Sequence, residues 1–144
     1  MKRLNVFALM LSLVMLMSIS ATAAYVPPDS PDASAYIADY AAGIINGGNG
    51  VLKVSFDVTG TATMAKLGAS AISIYKSNGT YVTTMWWLDS GRGGMMGSNT
   101  IYHGDTESIY AGAGSYYAVV TFYAKNSSGS VGTKTYQTGT KTIT

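Results

Sequence analysis

The clearest pattern in the chain is a strict alternation of apolar and polar residues between positions 52 and 59. The apolar positions are Leu52, Val54, Phe56 and Val58, and a polar residue follows each of them. A period of two places successive side chains on opposite faces of a strand. The segment therefore predicts a half-buried strand, and positions 34–45 predict an earlier strand that ends at the glycine-rich turn 46–50.

A β-hairpin is predicted further along the chain. The segments 72–76 and 81–86 are rich in β-branched and aromatic residues, and Ser77-Asn78-Gly79-Thr80 separates them. Asn-Gly favours the tight turn that joins two antiparallel strands, because both residues tolerate positive φ.

The remaining pattern predicts further short strands near 100–103, 107–111 and 116–125, and a last strand rich in Thr and Lys after the turn 126–130. Residues 89–100 contain four glycines and no alternation, so they predict the longest loop. Seven to eight strands without a mature helix predict an all-β fold, an antiparallel immunoglobulin-like β-sandwich. The single domain would span 35–144, after a flexible leader at 25–34 that holds all three prolines.

The sequence shows two resemblances to known proteins. Tyr116 to Gly129 is similar to the penultimate strand and hairpin of immunoglobulin-like and fibronectin type III-like sandwiches. Together with that strand, the segments Lys66–Ser70, Ile72–Tyr75 and Met96–Ser98 resemble small secreted proteins of Gram-positive anaerobes that are grouped as a domain of unknown function. The resemblance implies an exported sandwich and carries no known activity.

The first 24 residues have the organisation of a secretory signal peptide. Lys2 and Arg3 precede an apolar run, and the small residues 21–24 follow it. The run predicts a short helix that is cleaved after Ala23 or Ala24, and the pattern does not choose between these bonds. We therefore expect a secreted, extracellular protein without a stable membrane anchor in its mature form.

Cleavage changes the charge of the chain. Removing Lys2 and Arg3 from the nine basic residues leaves seven, equal to the seven acidic residues. A neutral chain with scattered lysines lacks the dense basic surface that nucleic-acid binding requires. We therefore exclude nucleic acid as a partner.

The sequence offers little for catalysis. The chain has no Cys, one His and no Gly-x-Ser-x-Gly motif, so we expect neither an enzyme nor a cofactor. The best metal-like group is His103, Asp105 and Glu107. A single His without Cys is weak for zinc, and a solvated turn between two strands is the favoured interpretation of this segment.

Aromatic residues give the better functional signal. Trp86 and Trp87 are adjacent on a predicted strand, so their side chains should point to opposite faces. One of them would be free to stack on a sugar or to anchor a protein, with Arg92 and Tyr102 as further candidate binding residues. The alternative is that one Trp fills the core and the other caps its end. A larger face would form if several tyrosines share a sheet, namely Tyr75, Tyr81, Tyr102, Tyr117 and Tyr123.

The sequence thus favours an extracellular, non-enzymatic binding module for a cell-surface glycan or protein. One alternative is a structural surface component that self-associates through its edge strands. A weaker alternative is a metal-dependent or hydrolytic enzyme that uses His103, Asp105 and Glu107.

The signal peptide generates a direct prediction. Expression with the full leader in a secreting bacterial host should release a protein that begins at Ala24 or Tyr25, because signal peptidase cuts after small residues. Intact-mass measurement of the protein in the medium would identify the bond. A protein that stays cell-bound with its first 24 residues intact would contradict the prediction.

Overall fold

The computed structural model describes residues 35–144, so the predicted signal peptide, its cleavage bond at Ala23 or Ala24 and the leader at 25–34 lie outside it. This part of the chain is built from antiparallel strands and one short 3-10 helix, Gly93–Met95. The strands are β1 Ile37–Gly48, β2 Val51–Lys76, β3 Tyr81–Trp86, β4 Met96–Tyr110, β5 Gly114–Lys125, β6 Val131–Gln137 and β7 Lys141–Ile143. No helix between residues 35 and 144 has the length and apolar character needed to cross a membrane.

Strand β2 organises the whole fold because its 26 residues run through both halves of one seven-stranded sheet. We call these two halves, which meet across the core, the first and second layers. The first half of β2, 51–60, lies between β1 and the later part of β4. After a register shift between Thr59 and Met64, its second half pairs with β5 on one side and with the start of β4 and β3 on the other. Strands β6 and β7 extend the second layer from β5.

A single core fills the space between the two layers. Phe56 of the first layer meets Phe122 of the second with ring centroids 6.3 Å apart. Tyr40 of β1 adds a ring 5.3 Å from Phe122. The alternation seen in the sequence gives the first layer its inward-facing apolar side chains, since Leu52, Val54 and Val58 are fully buried. Burying each such side chain contributes about 1.5–3 kcal/mol.

The predicted all-β, antiparallel fold with seven strands is confirmed. Several predicted element boundaries are wrong. The strands expected at 52–58 and 72–76 are one strand, β2, because the chain stays extended through 60–63, where its pairing with β4 shifts register. The strands expected near 100–103 and 107–111 are likewise one strand, β4, which already begins at Met96 and shortens the loop predicted over 89–100. The expected last strand is two strands, β6 and β7.

Gly68 permits a close approach between β2 and the start of β4. A Cβ at this position would overlap the carbonyl oxygen of Met95 and lie 2.9 Å from the Cα of Met96. Both of these methionines are buried, so the backbone has little room to retreat. The glycine therefore lets the loop end and β4 pack directly on β2.

Gly68→Ala should lower the free energy of unfolding by about 1–3 kcal/mol, the usual cost of forcing extra volume into a packed site. Gly93→Ala is the matched control, since a Cβ there would meet nothing within 4 Å. Urea denaturation of both variants measures the difference. Equal stabilities of the two variants would contradict the close approach.

Candidate functional site

Trp86 and Trp87 point to different environments. Trp86 is 54% exposed at the end of β3, where it lies opposite Ala71 of β2. Trp87 packs partly buried against the core, and the Lys66 ammonium lies 5.9 Å from its ring centroid. Trp86 is therefore the one tryptophan of the pair whose ring is open to a ligand.

A bulge in β3 brings Tyr81 to the same side as Trp86. Ile74 pairs with Thr83 and Tyr75 pairs with Tyr81, so Val82 has no opposite residue. Regular alternation would place residues 81 and 86 on opposite faces, and the extra residue reverses this. The Tyr81 hydroxyl consequently reaches Thr84, donating a hydrogen bond of 3.2 Å to its Oγ1.

Three tyrosines form a row across β3, β2 and β5. The Tyr75 and Tyr81 rings meet edge to face at 5.7 Å, and the Tyr75 and Tyr117 rings stack at 5.3 Å with an interplanar angle of 11°. The stacked pair covers part of its own ring surface. Tyr81, which is 57% exposed, has more of its ring available.

Hydroxyl groups lie between this row and Trp86. Ser73 Oγ and Thr84 Oγ1 are 2.8 Å apart. Thr121 of β5 and Thr135 of β6 lie opposite each other, at the same level across the strands as Trp86. We call this outward side of the second layer the aromatic face; its members are Tyr75, Tyr81, Tyr117, Trp86, Ser73 and Thr84. Ala71, opposite Trp86, and Tyr75, in the tyrosine row, are four positions apart on β2. At about 3.3 Å per residue, this spacing separates Trp86 from the tyrosine row by about 13 Å.

The other predicted binding residues lie elsewhere. Tyr102 is exposed on the outward side of the first layer, where it pairs with Thr59 and lies beside Gly104. Arg92 forms an ion pair with Glu107, and both its terminal nitrogens donate to the carbonyl oxygen of Ser108 at 3.2 Å. The structure therefore does not bring Trp86, Arg92 and Tyr102 together on one surface. Of the tyrosines considered with them, Tyr75, Tyr81, Tyr117 and Tyr123 share the second layer.

His103, Asp105 and Glu107 occupy alternate positions within β4, so the interpretation of this segment as a turn was wrong. They lie opposite Val58, Phe56 and Val54 in the pairing with β2. All three meet the loop that follows β3. His103 Nε2 lies 2.7 Å from the carbonyl oxygen of Gly94, and an added Cβ on that glycine would collide with Asp105.

These polar side chains hold the loop against the edge of the core. The Glu107 carboxylate is nearly buried and receives its charge-assisted hydrogen bond from Arg92. Within residues 35–144, no three His, Asp or Glu side chains are grouped so that they could hold a metal ion. The observed arrangement gives the three residues a structural role.

Comparison with known protein families found no matching family model, and comparison with curated proteins found no significant similarity. The candidate site therefore rests on its own geometry.

Sequence reasoning named Tyr75, Tyr81 and Tyr117 among the tyrosines that could share a face, but it did not predict their order across the strands. The residues come from three strands, and a residue without a partner in β3 decides the orientation of Tyr81. The Asn78-Gly79 turn, which fixes the hairpin, was the one local signal that placed Tyr75 near Tyr81.

Removal of the Arg92 guanidinium should expose the structural role of the ion pair. We expect Arg92→Met to lower the free energy of unfolding by about 1–3 kcal/mol, because it leaves the Glu107 carboxylate unpaired at low exposure. In the Glu107→Gln background, Arg92→Met should cost much less. Urea denaturation of this double-mutant cycle measures the coupling, and a coupling energy near zero would contradict the assignment.

Proposed function

We propose that this chain is a secreted, non-enzymatic module that binds a polysaccharide on the aromatic face. The observation that carries the proposal is the placement of two open rings, Trp86 and Tyr81, on one side of the same strand. A rigid sheet fixes both rings before a ligand arrives, which reduces the entropy lost on binding.

The chemistry of the face suits a sugar polymer. Aromatic rings pack against the apolar C–H surface of a sugar ring, while hydroxyl groups such as those of Ser73 and Thr84 can exchange hydrogen bonds with sugar hydroxyls. The separation of about 13 Å between Trp86 and the tyrosine row suits a ligand that extends along the strands. Export by the predicted signal peptide would bring the face into contact with extracellular glycans.

The rival function, self-association through edge strands, has less support. Strand β3 is an edge strand, and its unpaired Val82 interrupts the ladder that a second chain would extend. On the opposite side of the second layer, Lys141 is exposed on β7. Charges and bulges on edge strands oppose pairing between molecules. The immunoglobulin-like classification and the resemblance to secreted proteins of Gram-positive anaerobes remain part of the proposal.

The aromatic face generates a matched test. Trp86→Ala and Tyr81→Ala should each weaken polysaccharide binding about tenfold or more, because a lost anchor ring in an interface costs about 2 kcal/mol. Tyr102→Ala is the control: Tyr102 is 56% exposed, almost as much as Tyr81, but lies on the other layer. It should bind like the unmodified protein.

A panel of soluble polysaccharides in affinity electrophoresis, followed by titration of the best ligand, measures these effects. Circular dichroism checks that each variant is folded. The proposal fails if no polysaccharide is retained, or if Tyr102→Ala weakens binding as much as Trp86→Ala.

A further inference from the structure

Two lysines face each other directly on the outward side of the second layer. Lys66 of β2 and Lys125 of β5 are opposite partners in the antiparallel register. Opposite residues in such a pair have Cβ atoms about 4.5–5.5 Å apart, and like charges at that separation are destabilising. The pair thus places two positive charges at opposite positions on neighbouring strands of one surface.

Protection of a sheet edge does not account for this pair. Lysines commonly guard edge strands against pairing with other chains. At Lys66, however, β2 is flanked by β4 and β5, and at Lys125, β5 is flanked by β2 and β6. Both lysines thus lie on interior strands of the layer.

Among the described residues, Lys66 contacts a hydroxyl acceptor and an aromatic ring. Lys66 Nζ lies 2.9 Å from Ser98 Oγ and near the Trp87 ring. Neither Lys66 nor Lys125 forms an ion pair with an acidic residue of the described range 35–144. The neighbouring positions across the layer are Ser98 on β4 and Val131 on β6, and the next outward row holds Gly68, Tyr123 and Thr133.

The lysine pair continues the aromatic face along the same strands. Thr121 lies in the row of Trp86, and four residues separate it from Lys125, which corresponds to about 13 Å. Tyr123 of β5 lies between these rows and is half-buried, while the backbone of Met95 and Met96 packs over its partner Gly68 on β2. One extended polymer that crosses the strands from Trp86 on β3 to Lys125 on β5 could therefore contact both Trp86 and the lysine pair.

We infer that the polysaccharide bound by the aromatic face is anionic, and that its carboxylate or phosphate groups bind at Lys66 and Lys125. This inference rests on the proposed function for the location of the polymer. An acidic group between the two ammonium groups removes the like-charge repulsion and accepts hydrogen bonds from both. Neutral polymers would lack this contact.

The test compares polymers that differ in charge. Polygalacturonate and its methyl-esterified form share a backbone, and poly(glycerol phosphate) provides the phosphate source. We expect the mature protein to bind at least one of the two anionic polymers at least tenfold more tightly than the esterified polymer, with affinity that falls as salt is added. Preference between the two anionic polymers identifies the anionic group.

Matched variants locate the effect. Lys66→Gln/Lys125→Gln replaces both ammonium groups with neutral polar amides and should remove the preference for the anionic polymer. Lys53→Gln/Lys141→Gln makes the same change in net charge at exposed positions outside the face and should retain the preference. The single variant Lys125→Gln leaves the Lys66 contacts intact and should lose most of the preference, and thermal unfolding verifies that each variant folds.

The outcomes separate the two proposals. Equal binding of the acidic and esterified polymers that still depends on Trp86 overturns the anionic inference and supports the proposed function. Binding that depends on Lys66 and Lys125 but not on Trp86 or Tyr81 supports the anion site and overturns the aromatic one. If both lysine double variants lose the preference for the anionic polymer to the same extent, the anion site is overturned, since net charge alone would then explain binding. Retention of none of these three polymers overturns the anionic inference, and the polysaccharide panel then decides the proposed function separately.

Discussion

Strand β2 hydrogen-bonds along nearly all of its 26 residues, first to β1 and β4 and then to β5, β4 and β3. Buried backbone groups need partners, so the chain can change layer at 60–63 only where the ladder is briefly interrupted. Both inner surfaces then meet, and Phe56 packs against Phe122. The core, the loop after β3 and the outward side of the second layer all take their positions from this one strand.

The second requirement concerns β4, whose pairing with β2 directs polar side chains toward the edge of the core. His103 and Glu107 would be costly there without partners. The loop after β3 supplies these partners through the carbonyl oxygen of Gly94 and the guanidinium of Arg92. The group His103, Asp105 and Glu107 thereby fixes the loop that begins beside Trp86. It so supports the end of the aromatic face.

The outward side of the second layer combines features that stability alone does not require. Trp86 leaves about half of its surface in water, and Lys66 faces Lys125 on interior strands. Between these features lie hydroxyl groups and Tyr123. A surface that gathers open rings, hydroxyls and unpaired positive charge along one strand direction is suited to an extended ligand with sugar rings and acidic groups.

Local patterns predict the strands and turns that depend on neighbours in the chain, such as the alternation from Leu52 and the hairpin at Asn78-Gly79, because period and turn chemistry are local properties. They also identify Trp86 as a candidate. Contacts between strands establish that two predicted strands are one strand, that Tyr81 joins the side of Trp86, and that Tyr102 does not. These outcomes depend on cross-strand register, where one unpaired residue, Val82, reverses the direction of the side chains before it.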